Sequence, residues 1–202
     1  MVVARKHQEN VDRCVKEMPP KAVRLNNIVT MGIGFSAMTR LYKKGSKKDL
    51  HKSILEVAKE LFEAKSKKDY VRIHSTFCKQ TVGNIKLAKK GTASYGEIAK
   101  TLDVVMRVAV YYAHLPDCRR ARKLTKWLNA AVDTKMTTYL NTYLRENHPQ
   151  KRLLKTAQKV SDENEYMRIQ KVVKDFIREK HPDKILPVQF DDIYWRCLNK
   201  KP

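Results

Sequence analysis

The sequence predicts an all-α fold, a single compact bundle of about eight helices packed around a buried central helix at 95–115. Three observations lead there. The stretch Tyr95 to Leu115 is apolar most of the way round a helical wheel, as a helix enclosed by other helices must be. The segments on either side carry apolar residues at helical spacing, and most open on a capping residue. The chain has only 6 Gly and 7 Pro in 202 residues, with 42% hydrophobic residues, which suits a helical core and not a disordered chain.

The central helix owes its start to Ser94 and Glu97, which have the Ser-x-x-Glu spacing of a capping box. Pro116 ends it at or before Leu115. Val104, Val105, Val108 and Val110 are β-branched and favour strands, but the length of the run and its cap decide for helix. Arg107 and the flanking charges set the run apart from a membrane span.

In chain order, Arg5 to Met18 has a narrow apolar stripe of Val11, Cys14, Val15 and Met18, ended by Pro19 and Pro20. Lys21 to Tyr42 is a second helical run; Gly32 and Gly34 mark a kink, a close helix contact or a break. Ser46 with Asp49 opens Lys47 to Ala64, and Ser66 with Asp69 opens the next helix, closed by Lys89, Lys90 and Gly91. After the central helix, Asp117 caps Cys118 to Leu128 and Asp133 caps Thr134 to Glu146. A short basic piece spans Gln150 to Lys159, and Ser161 caps the run from Asp162 to Lys180. One domain covers 1–202, with 183–202 as a tail whose Ile185, Leu186, Val188, Phe190, Ile193 and Trp195 dock on the core.

Charge dominates the functional reading. Lys and Arg number 43 against 21 Asp and Glu, a formal net charge of +22. Self-repulsion on that scale calls for a polyanion, and nucleic acid comes before an anionic membrane surface. The cations are clustered. Lys43, Lys44, Lys47 and Lys48 surround one loop, Lys65, Lys67 and Lys68 the next, and Lys86, Lys89 and Lys90 a helix end. Along Cys118 to Leu128, Arg119, Arg122, Lys123 and Lys126 form a cationic stripe opposite Ala121, Leu124 and Leu128, with Arg120 and Trp127 at the border. Such a rail, its charges about a helical turn apart, suits phosphates, and the Trp127 indole could stack on a base.

These residues predict a protein that binds DNA or RNA through the phosphate backbone, with DNA slightly favoured. The candidate contacts are Arg119, Arg120, Arg122, Lys123, Lys126, Trp127, Lys43, Lys44, Lys47 and Lys48. The alternatives are an enzyme on nucleic acid and a subunit of a nucleoprotein assembly that self-associates on the polymer. Cys14, Cys78, Cys118 and Cys197 stand singly, without zinc-site or disulfide spacing, and the start of the chain lacks a secretory pattern. The expectation is an intracellular protein that needs no metal or cofactor. His181 with Asp183, Asp191 and Asp192 is the only acidic cluster near a histidine, and a two-metal nuclease site there would need a further carboxylate.

Three short resemblances bear on function. Tyr95-Gly96-Glu97-Ile98-Ala99-Lys100 resembles the first helix of a helix-turn-helix, which implies a turn and a recognition helix, although Asp103-Val104-Val105 continues without a turn residue. Arg107 and His114, seven residues apart, resemble the motif of HEPN-type ribonucleases, which implies RNA cleavage by that pair at a dimer interface; Val108 stands where the family commonly has a polar residue. Ala131-Val132-Asp133-Thr134-Lys135 looks like the segment carrying the catalytic Asp of helix-hairpin-helix DNA glycosylases. That resemblance implies Lys100 or Lys123 as nucleophile and Asp133 as its helper, with Leu115-Pro116-Asp117 starting like the hairpin but lacking its glycine.

Overall fold

The computed structural model describes residues 21–34, 42–89, 91–131, 133–182, 184–190 and 193–194. The elements run α1 (Lys21–Gly34), α2 (Lys44–Glu63), α3 (Lys67–Thr81), α4 (Tyr95–Met106), a π-helical continuation (Arg107–Tyr112), α5 (Cys118–Thr125), α6 (Thr134–Asn147), a 3-10 turn (Ala157–Lys159) and α7 (Glu163–Lys180). A helical turn follows at 187–190. Among the described residues there is no strand, only the isolated bridges Tyr42–Leu87 and Lys86–Thr92. The fold is all-α, as the periodicity predicts. The first expected helix, Arg5 to Met18, lies outside the described residues, as do Asp183, Asp191, Asp192 and Trp195.

α4 is the central helix. It packs against α1, α3, the 3-10 turn and α7. Ile98, Ala99, Leu102, Val105 and Met106 are fully enclosed, and each large aliphatic among them contributes on the order of 1.5–3 kcal/mol by leaving water. The capping box forms as expected: Glu97 N–H donates to Ser94 Oγ at 3.2 Å and Ser94 N–H to Glu97 Oε2 at 2.9 Å. Two glycines are explained by close approach. A Cβ on Gly32 would lie 2.8 Å from Val105 Cγ2, so α1 touches α4 there. A Cβ on Gly96 would lie 2.4 Å from the Ala157 carbonyl oxygen.

Several boundaries differ from the sequence reading, each for a local reason. The helical geometry of 95–115 changes to π at Arg107 and ends at Tyr112. His114 then takes φ 52°, the left-handed cap position usually held by Gly, while Leu115 N–H donates back to Ala109 O at 2.8 Å. α2 begins at Lys44 and not Lys47, with no side-chain cap. Its expected cap residue, Ser46, instead accepts from Lys86 N–H at 3.0 Å. α3 does open on Ser66, which accepts from Asp69 N–H, but it stops at Thr81. Gly83 at φ 86° turns the chain, and Lys89 and Gly91 belong to the small bridged loop that follows. α5 ends at Thr125 rather than Leu128. α7 is capped by Asp162, which accepts from Glu165 N–H at 3.0 Å, with Ser161 hydrogen-bonded to it.

Candidate nucleic-acid interface

α5 forms as its amphipathic pattern requires. Asp117 caps it by accepting from Arg120 N–H at 2.9 Å. Ala121, Leu124 and Leu128 are buried, which holds the helix against the bundle. Arg119, Arg122, Lys123 and Lys126 are exposed on the opposite side.

Two of the residues proposed for this surface do something else. Arg120 is half-buried and turns inward: its Nε–H donates to Phe62 O at 2.7 Å and its Nη2 to Ala64 O. These carbonyls close the C-terminal end of α2, so the guanidinium satisfies orphan acceptors and opposes the negative end of the helix dipole. Trp127 is half-buried against the core. Its ring lies 6.5 Å from the Tyr70 ring, with the Arg120 guanidinium at 6.0 Å and Lys123 Nζ at 5.3 Å from its centroid. The indole thus props the cationic helix from behind, with its surroundings already occupied.

The Arg120 bonds bring α5 to the C-terminal end of α2, where the chain turns into α3. Lys65, Lys67 and Lys68 surround that turn and are exposed. Lys174 of α7 joins them. Burial, reinforced by the Lys67 ammonium, holds its pKa below the ordinary lysine value. The sequence reading missed Lys174, because only the packing of α7 places it beside α3.

Lys43, Lys44, Lys47 and Lys48 lie at the other end of α2. Lys43 N–H donates to Lys86 O at 2.9 Å, which brings Lys86 and the neighbouring Lys89 to the same end. The rise of an α-helix puts the two ends of this 20-residue helix about 30 Å apart. The candidate cations therefore form two basic poles.

Carboxylates are distributed unequally between these cations. Among the described residues, ion pairs form elsewhere: Arg72 with Asp69 at 2.6 Å, Lys79 with Glu163 at 2.6 Å, Arg152 and Lys155 with Glu165, Lys171 and Arg178 with Asp175, Lys180 with Glu179. No described carboxylate is ion-paired with Arg119, Arg122, Lys123 or Lys126, nor with Lys43, Lys44, Lys47, Lys48, Lys67 or Lys68; Asp69, in the α2–α3 turn, accepts from the Lys65 backbone N–H at 3.0 Å and its charge also acts on Lys65. Helix polarity shows the same contrast. α7 has Glu163 and Glu165 in its first turn and Arg178 and Lys180 in its last, as the dipole favours. α2 has lysines at its start and Glu60 and Glu63 at its end, against the dipole, with no acid in the first turn and no base in the last.

The alternative catalytic sets do not assemble. Arg107 is half-buried within the π-helical stretch, whereas His114 is exposed beyond its end. The wider π turn and the left-handed cap break the regular helical spacing that would have put the two on one face. Asp133 is the cap of α6, accepting from Met136 N–H at 2.9 Å. Lys123 points outward from α5, and the half-buried Lys100 lines a small void of about 10 Å³ beside Asp103 and Tyr166. Leu115 to Asp117 leads directly into α5 without a glycine hairpin. No turn interrupts α4 after Leu102, so a helix-turn-helix is absent at 95–106. Among the described residues no group of His, Cys, Asp and Glu could hold a metal ion. Cys78 and Cys118 are free thiols. Among the described residues no helix is long and apolar enough to cross a membrane.

A cluster that the sequence reading did not single out lies in the core. His74 Nε2 donates to Asp103 Oδ1 at 3.1 Å, and the Tyr166 hydroxyl donates to Asp103 Oδ2 at 2.6 Å. The imidazole stacks on Tyr166, centroids 5.5 Å apart and planes 17° from parallel, and Cys78 Sγ lies 3.9 Å from Nδ1. Burial opposes a charge on His74. The Cys78 sulfur and the Asp103 carboxylate outweigh it, and the pKa is pushed up to about 10. All four residues are at most 5% exposed, so the set works as a buried structural brace between α3, α4 and α7. Its one sequence signal was Asp103, an acid inside an otherwise apolar helix.

No family model matches this chain, and no curated protein or solved structure matches it.

Proposed function

We propose that this protein binds nucleic acid through the phosphate backbone. The observation that carries the reading is the gathering of cations that have no carboxylate partner on α5 and at the ends of α2, while Lys171, Arg178 and Lys180 of α7 and Arg152 and Lys155 before it are ion-paired. Uncompensated ammonium and guanidinium groups at this density repel one another, and phosphates would relieve that repulsion while releasing condensed counterions. The primary contacts are Arg119, Arg122, Lys123 and Lys126, with Lys65, Lys67 and Lys68 beside them. The lysines at the start of α2 lie where the helix dipole also favours an anion. Arg120 and Trp127 support the surface from behind. Phosphate contacts position without reading bases, so the binding is insensitive to sequence; duplex DNA is the first ligand to test.

The test is the salt dependence of duplex DNA binding by fluorescence anisotropy. The apparent affinity falls steeply with salt, and Arg122→Ala with Lys126→Ala flattens the logarithmic slope by about two units. An affinity indifferent to salt, or a slope unchanged in the double variant, would remove the reading.

A further inference from the structure

We propose that one molecule holds two separate stretches of nucleic acid, one at each end of α2, and so bridges them. This rests on the binding reading above and adds to it a valence and a geometry. One pole consists of Arg119, Arg122, Lys123 and Lys126 on α5 with the lysines around the α2–α3 turn. The other consists of Lys43, Lys44, Lys47 and Lys48 with Lys86 and Lys89. They are about 30 Å apart along the axis of α2. The screening length at physiological ionic strength is about 8 Å, so each pole attracts phosphates independently of the other.

The surface between the poles discourages a single strand or duplex from lying across both. Between the poles α2 exposes Asp49, Glu56, Glu60 and Glu63 against Lys52 and Lys59. The four carboxylates line an open groove of about 1000 Å³ between α2 and α3, floored by Val57, Ile73 and Phe77. None of these four is ion-paired with a described cation. A phosphate backbone laid along α2 would leave the first pole, meet like charge over the middle, and only then reach the second. Two backbones, each meeting one pole end-on, avoid that contact. The same arrangement accounts for the charge order of α2, which is unfavourable for the isolated helix and is relieved at its N-terminus when an anion binds.

A two-duplex capture experiment with the full chain decides this. One short DNA duplex is fixed to beads, protein is added and washed, and a second, fluorescent duplex is then supplied. The wild-type protein is retained by the first duplex and recruits the second. Lys43→Ala/Lys44→Ala/Lys48→Ala and Arg119→Ala/Arg122→Ala/Lys126→Ala alter opposite poles at solvent-facing positions. Each triple variant still binds the fixed duplex through its remaining pole, with a salt slope lower by as much as about three units, and recruitment of the second duplex drops to background. Thermal melting checks that both remain folded, and the α2 variant melts no lower than wild type because its lost charges opposed the dipole. Wild-type protein that is retained but recruits nothing overturns bridging and leaves the binding reading intact. Recruitment that survives in either triple variant also overturns it, because it assigns the second contact to one pole or to paired copies. Failure of the wild type to bind even the fixed duplex removes both readings together.

Discussion

Raising the pH should loosen this protein well before its lysines titrate, and the cause is one buried histidine. His74 has an ordinary value of 6.5 and is pushed up to about 10 in the fold. A group whose folded value is raised contributes its stability fully below the unfolded value and loses it as pH climbs through the folded one. The window is therefore pH 6.5 to about 10. At about 1.4 kcal/mol per unit, the span corresponds to on the order of 5 kcal/mol. That is a large share of a typical total of about 5–15 kcal/mol. Tyr166 and Tyr70 face the same imidazole, and burial followed by the Asp103 charge holds both well above their ordinary value. They keep their protons in the fold and so extend the loss to higher pH. Urea denaturation followed by circular dichroism at pH 6.5, 8 and 9.5 gives the stability at each point. NMR of the His74 Cε1 proton reports its titration directly. Asp103→Asn removes the carboxylate, should cost about 3–5 kcal/mol at pH 6.5, and should flatten the alkaline decline. Equal stability from pH 7 to 9.5, with His74 titrating at its ordinary value, would refute the reasoning.

Two further substitutions separate scaffold from interface. Gly96→Ala places a methyl group 2.4 Å from the Ala157 carbonyl oxygen and 2.7 Å from Val160 Cβ; the overpacking should cost about 2–3 kcal/mol and lower the thermal midpoint by roughly 4–12 °C. Arg120→Ala strips the Phe62 and Ala64 carbonyls of their charged donor. It should lower stability by about 1.5–3 kcal/mol, measured in urea, while changing the salt slope of nucleic-acid binding by less than about one unit. A slope change as large as that of Lys126→Ala, with no loss of stability, would return Arg120 to the binding surface.

The caps and faces of the helices were legible because they depend on neighbours within a turn or two. Ser94 with Glu97, Ser66 with Asp69, Asp117 and Asp133 all act over three residues. The outward face of α5 followed from the positions of Ala121, Leu124 and Leu128. Reading failed where a side chain found a distant partner. Ser46 looks like a cap but serves Lys86, forty residues on. Arg120 looks like part of the rail but reaches back fifty-eight residues to Phe62.

By itself, the sequence determined the all-α class, the buried central helix, most helix starts and the excess of positive charge, since periodicity and capping are local and charge is additive. Only the tertiary structure decided that α5 joins the C-terminal end of α2, through the bonds from Arg120 to the Phe62 and Ala64 carbonyls. It also joined His74, Asp103 and Tyr166, which are far apart in the chain, into one hydrogen-bonded set. Packing of helices is what brings such residues together, and the spacing within any one segment carries no record of the partner it will meet.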